Sequence, residues 1–296
     1  MKTKFTNWAG AMALPLTAGV LTVAMFGRVQ VPTPSWPAQR PAIPAQLLPS
    51  GPAPAAEASL EQVLAGMRAN LPPLFSAELR VEERDRDGRV GRDMRGHVYI
   101  ERDAARAETR TMLRLSAPAE LSGTALLAQA SAGAEDEMYL FMPAIRRVRK
   151  ISGEFAVPPL LGSGLSYARF RQIEDAFLDA PATLGPGAQL GERAVYTLDF
   201  TGKARPAWSY SRMRALVDRQ TGVPLRVELY QGDELRQLIT APAESLRQAG
   251  GYWYAAALEL RDLATGSVTS LRFEGVDVSG HIAGPMFDPQ QFYASR

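Results

Sequence analysis

The sequence predicts a mainly β protein built on one large, curved antiparallel sheet with few helices. Three observations carry this. About a dozen segments alternate apolar and polar residues with the period of two that a half-buried strand needs. Glycine-bearing turns separate many of them. Nowhere does a strand signal alternate with a helical one, as a parallel sheet would require.

At the start of the chain, Trp8 to Phe26 runs 19 residues without a charge, behind Lys2 and Lys4. At about 1.5 Å per residue a helix there spans a bilayer core, so residues 1–30 read as a signal peptide or an N-terminal membrane anchor. Thr22-Val23-Ala24 is a weak cleavage site inside the apolar run, and cleavage and retention both stay open. The leading lysines favour a cytoplasmic N-terminus. Residues 31–56 hold prolines at 32, 34, 37, 41, 44, 49, 52 and 54 and read as an extended linker. At about 3.1 Å per residue it reaches several nanometres from a membrane.

Composition removes several functions. Cysteine is absent, which excludes a disulfide framework, a thiolate metal site and a cysteine nucleophile. Residues 1–56 carry Lys2, Lys4, Arg28 and Arg40 and no acid, so the remainder is slightly acidic despite a formal charge of +2. That balance argues against nucleic-acid binding.

Residues 57–296 contain no internal linker and read as one domain. Ser59 and Gln62 form a capping box ahead of Leu60, Val63, Leu64 and Met67 at helical spacing, and Pro72 and Pro73 stop the helix. Strand signals follow at 77–83, 92–101, 108–115 and 123–129, with a turn at 85–88. A second set lies at 193–200, 210–217, 223–230, 234–240, 253–260 and 267–276, with turns at Thr221-Gly222, Gln231-Gly232-Asp233 and Thr265-Gly266. Leu198, Phe200, Leu225, Val227, Leu229, Leu271 and Phe273 fall on the inward side of their strands. Two readings stay open for them, the lining of a cavity or an ordinary core.

Between the two sets, Glu137 to Ile151 joins an aromatic strand to a cationic one through Pro143-Ala144. Tyr139 and Phe141 alternate with Leu140 and Met142, which suits a strand apolar on both faces. Arg146, Arg147, Arg149 and Lys150 follow, either as a solvated strand face or as an anion-binding surface.

Catalytic signatures are thin. His97 and His281 lie far apart without ligand-spaced neighbours, and Gly164 to Ala168 approaches a nucleophile-elbow pattern but ends in alanine. Gly162-Ser163-Gly164 lacks the rest of a nucleotide loop. The expectation is a protein without enzymatic activity, metal or cofactor.

Gly123-Thr124-Ala125-Leu126-Leu127, the strand from Tyr139 to its Pro-Ala corner and Arg-Arg-Val-Arg run, Leu161-Gly162-Ser163 with Ser166-Tyr167, and Val217 to Leu225 occur in that order. With the closing Trp253, Val276, Ile282 and Phe287, the combination resembles the outer-membrane lipoprotein-sorting proteins of the LolA-like superfamily, over roughly residues 60–293. The chain departs from that pattern at Gly164 and Ala168-Arg169, where related sequences carry carboxylates. The resemblance implies an incomplete antiparallel β-barrel with helices plugging its concave face, and a periplasmic location, with residues 8–26 as a tether if retained. It also implies a hydrophobic cavity for acyl chains of lipoproteins or lipids, received from an inner-membrane exporter and passed by a monomer to an outer-membrane acceptor. The expected cavity wall is Leu126, Tyr139, Phe141, Leu198, Phe200, Leu225, Val227, Leu229, Leu271 and Phe273. Arg146, Arg147, Arg149 and Lys150 become a contact for anionic headgroups. A membrane-anchored sensor of envelope stress on the same fold is the alternative.

Overall fold

The computed structural model describes residues 58–131, 137–151, 181–201, 210–282 and 284–294. The expected leader, the proline-rich linker and the motif pieces at 161–168 lie outside them. One α-helix, α1 (Leu60–Ala69), precedes β1 (Leu74–Arg84), β2 (Val90–Asp103), β3 (Glu108–Ala117), β4 (Ala125–Ser131), β5 (Glu137–Met142) and β6 (Arg147–Ile151). Then come β7 (Ala182–Leu184), β8 (Ala188–Leu190), β9 (Arg193–Thr201), β10 (Arg212–Asp218), β11 (Pro224–Gln231) and β12 (Glu234–Thr240). β13 (Leu246–Ala249), β14 (Tyr252–Ala255), β15 (Ala257–Asp262) and β16 (Val268–Asp277) complete the set.

Fourteen of these strands form one antiparallel sheet in the order β6-β5-β4-β3-β2-β1-β16-β15-β12-β11-β10-β9-β7, with β8 also on β9. It consists of two meanders joined where the first strand pairs with the last, Leu79 opposite Phe273 and Val81 opposite Leu271. Among the described residues the edge strands β6 and β7 do not pair, so the sheet is open rather than closed into a barrel. One expected strand, 253–260, is two. β14 pairs with β13 in a separate small sheet while β15 joins the main one. The break falls at Ala256, whose N–H donates to Ser245 O and whose carbonyl accepts from Phe273 N.

Sequence alternation becomes a division of faces, because residues paired across antiparallel strands point the same way. Leu184, Leu198, Ala215, Val227, Ile239 and Leu260 are successive cross-strand partners on one face, here called the inner face. Val63 and Met67 of α1 pack onto this half of it. On the opposite, outer face Arg214 donates to Asp199 at 2.8 Å, Arg226 to Glu228 at 2.9 Å, and the Tyr230 hydroxyl to Glu228 at 2.6 Å. These side chains form a charged ladder across β9 to β11.

The helix is held at both ends. Ser59 and Gln62 make the reciprocal capping box. At the other end the Asn70 amide donates to Thr221 O at 3.1 Å and Trp253 O at 2.9 Å, and its carbonyl accepts from Trp253 N at 2.7 Å. Thr221 belongs to the β10–β11 turn, where Gly222 takes a φ of +70° and buried Asp218 organises the chain. Asp218 accepts from Gln220 N and the Thr221 hydroxyl, both at 3.1 Å, and from the Arg193 guanidinium. The motif Asp218 to Pro224 is thus a structural clasp under the helix.

Arg193→Ala strands the Asp218 carboxylate without its cation and is expected to cost about 3 kcal/mol. Urea denaturation reads this directly, and a loss below about 1 kcal/mol would mean the turn donors suffice alone.

Candidate functional site

The inner face continues past the helix. Across the first meander, Leu140, Leu126, Leu113, Val98 and Ala77 form one unbroken cross-strand row from β5 to β1. The adjacent row runs Ile151, Met138, Ala128, Thr111, Ile100 and Phe75, with a single polar member. Five inter-strand steps at about 4.8 Å make this row roughly 24 Å long. Phe75 meets Phe273 edge-to-face at 6.0 Å and Tyr254 at 6.3 Å, which gives the face an aromatic border. Leu126, Ala128 and Met138 are buried, whereas Phe75, Leu79, Leu113, Leu140 and Phe273 stay half-buried. Between β5 and β1 both rows are uncharged, and on β6 the first of them ends at Arg149.

The expected wall residues separate into three groups. Leu126, Leu271 and Phe273 lie on the inner face, Leu126 buried and the other two half-buried. Leu198, Phe200 and Leu229 are wholly buried, and Leu225 and Val227 nearly so. Leu198, Phe200, Val227 and Leu229 form one cluster with Val63 and Met67, so helix packing fills this half. Tyr139 and Phe141 do not share the inner face with Leu126. Tyr139 pairs with Leu127 and Phe141 with Ala125, which puts both on the outer face, opposite to Leu126 and Leu140. A strand apolar on both sides hides which side is which.

What covers the outer side is the C-terminal segment. Met286, Phe287 and Phe292 pack with Met112, Ala125 and Leu127, and Tyr139, Phe141 and Val148 border them. Tyr293 stacks on Phe141 with ring centres 4.3 Å apart. Polar bonds fix the segment: Arg114 donates to Phe292 O and Gln129 to Phe287 O, each at 2.8 Å. The Pro285-Met286-Phe287 and Phe292-Tyr293 apolar pattern after the last strand was the available signal for this contact.

The basic run is also divided. Lys150 pairs with Tyr139 on the outer face, its ammonium bound to Glu137 and 5.8 Å from the Tyr139 ring centre, while the Tyr139 hydroxyl donates to Glu137 at 2.8 Å. The Lys150 and Tyr139 hydrogen bonds hold the Glu137 carboxyl below its ordinary value, and burial followed by the Glu137 bond pushes the Tyr139 phenol up. Arg149 pairs with Leu140 and Arg147 with Met142, so these two sit on the inner side of the edge strand. Arg146 is in the turn. The four cations are therefore not one surface. Of the histidines, His97 stacks on Tyr99 at 5.9 Å with Glu78 3.9 Å away, and His281 is exposed. Among the described residues no group of three potential ligands could hold a metal ion.

Comparison with known proteins gives the following. A family model described only as "Uncharacterized protein" matches residues 107–293. No curated protein matches the chain. Among solved structures, a DUF1329 family protein from Desulfovibrio piger superposes with a TM-score of 0.70 at 19% identity, over 76% of this chain and 94% of that one. A domain assigned as an outer membrane lipoprotein-sorting protein, from Vibrio parahaemolyticus, gives 0.68 at 17% identity, over 78% and 97%. A LolA superfamily protein from Nitrosomonas europaea gives 0.59 at 15% identity, over 78% and 98%. At these identities the likeness is one of fold.

Two outcomes follow from the outer face. Phe292→Ala opens a void beside Met112 and Leu127 and is expected to cost about 3–5 kcal/mol, against about 1 kcal/mol for Tyr293→Ala, both read by chemical denaturation. Because the Glu137 carboxyl is lowered in the folded state, its contribution is present above the ordinary value of 4.5 and is lost as pH falls through the lowered one. Glu137→Gln should therefore lower the melting temperature at neutral pH and converge with the native chain at the acid end. A constant difference across a pH series would contradict this.

Proposed function

The chain belongs to that family of uncharacterized proteins and carries the fold of the lipoprotein-sorting domains, and on this premise we propose that it is a periplasmic carrier of acyl chains. It holds the chains of a lipoprotein or lipid against the inner face, without covalent chemistry, and delivers them toward the outer membrane. The observation that carries this reading is the pair of cross-strand apolar rows on β1–β6, whose members Phe75, Leu113 and Leu140 are half-buried. Such a surface is costly to leave wet and matches aliphatic cargo.

The energetics favour a carrier. Each CH₂ withdrawn from water is worth about 0.8 kcal/mol, so a chain of about sixteen carbons would cost on the order of 10 kcal/mol to expose in transit. A groove of leucine and phenylalanine removes most of that penalty. An inner-membrane exporter supplies the cargo and an outer-membrane acceptor with a better groove takes it. Residues 31–56 act as the spacer between residues 8–26, cleaved or kept as a tether, and the carrier domain at 57–296. The side chains assigned to the cargo are Leu113, Leu126, Leu140, Leu271 and Phe273, with Phe75 and Leu79 beside them.

Binding of a fluorescent acyl probe tests this. Leu113→Asp and Leu140→Asp place charges on the half-buried rows and are expected to weaken binding by about tenfold or more, given what a buried charge costs. Leu263→Asp, at an exposed turn, leaves binding unchanged. A native chain that ignores the probe, or folded Leu113 and Leu140 variants that bind it as well as native, would reject the assignment.

A further inference from the structure

We propose that the β5–β6 hairpin is the element that docks this protein on an anionic bilayer surface. The tip spans Pro143 to Arg146 and is a defined turn, with Ile145 N donating to Met142 O at 3.3 Å and Arg146 N to Pro143 O at 3.2 Å. It is braced from behind. Gly123, at a φ of +78°, lets the Pro143 ring come within 3.2 Å of where a Cβ would stand, which ties the turn to the start of β4.

What this tip presents is three cations within four residues. Several arginines on other strands face carboxylates: Arg80 with Asp93, Arg214 with Asp199, Arg226 with Glu228, Arg261 with Glu259. Arg146, Arg147 and Arg149 are exposed and have no ion pair among the described residues, while neighbouring Lys150 is committed to Glu137. Within the turn, next to Arg146, stands Ile145, 46% exposed. Arg146 holds a φ of +49°, a left-handed conformation that glycine adopts at less cost. Ala107 does the same in the β2–β3 turn, so the conformation belongs to the turn, and a long cation occupies it here.

One exposed aliphatic side chain among three guanidinium groups that have no ion pair among the described residues fits the boundary of an anionic leaflet. The isoleucine enters the acyl margin while the arginines snorkel to phosphate, to which guanidinium groups bind in forked pairs. Arg147 and Arg149 also lie on the inner side of β6, beside Met142 and Leu140, so docking would bring the edge of the apolar face to the membrane. The inference goes beyond the carrier reading and does not need it, since docking can occur with an empty inner face.

The chain has no cysteine, so Ile145→Cys in the full chain accepts a single environment-sensitive fluorophore. Leu263→Cys, in the β15–β16 turn and also exposed, is the comparison position. Vesicles of phosphatidylcholine alone and with added phosphatidylglycerol are the probes. Docking predicts a blue shift at position 145 with phosphatidylglycerol only, absent at 263, suppressed by salt, and weakened about tenfold or more in affinity by Arg146→Gly, Arg147→Gln and Arg149→Gln together. Arg146→Gly suits the left-handed turn, so an unchanged melting temperature for that variant separates lost docking from lost folding. No shift at 145, an equal shift at 263, a shift that survives the three replacements, or one that needs added envelope protein instead of lipid would each overturn the proposal.

Discussion

Most of one face of the sheet is apolar and must be kept from water, and much of this structure follows from that requirement. Over β9 to β12 the requirement is met by α1, whose Val63 and Met67 sit on Leu198, Phe200 and Leu229. A ten-residue helix is too short to be stable alone, so its position depends on tertiary bonds. Asn70 supplies them by bridging the β10–β11 turn to β14, and the Asp218–Arg193 pair keeps that turn in shape. The polar clasp and the apolar contact are therefore one device. Loosening either would uncover the same leucines.

The two faces solve different problems. Over part of the second meander the outer face carries interleaved arginine, aspartate, glutamate and tyrosine, while Val195 and Leu216 on the same side pack with Leu190 and Leu246. Over β3–β5 the outer face is apolar, and the chain returns its own C-terminal segment to seal it with Phe287 and Phe292. On the inner rows of the same strands Leu126, Ala128 and Met138 are buried, and Leu113 and Leu140 stay half-buried.

Much of this was legible in the sequence. Period-two alternation announced most of the strands, and the Ser59–Gln62 box announced the helix, because both are local properties of backbone and side chain. The motif from Val217 to Leu225 could be read as a turn, although Arg193 as the partner of Asp218 could not, since that pair spans two strands. That Tyr139 and Phe141 face away from Leu126 could not be read from the sequence, because β5 is apolar on both sides and only pairing with β4 orients it. The break at Ala256 was hidden for a similar reason. β14 and β15 share one continuous strand pattern but bond to different sheets. Burial of Leu198, Phe200 and Leu229 under α1 likewise depends on contacts between distant segments.

The central claim is that the inner face of the first meander is an acyl-chain site rather than a filled core. Native mass spectrometry of the protein, purified from its own cell envelope without detergent exchange, tests this most directly. The account predicts a population heavier than the polypeptide by one or more acyl lipids or a lipoprotein, released intact on collisional activation with no covalent bond to the chain. A single species at the bare polypeptide mass, persisting across gentle conditions, would contradict it.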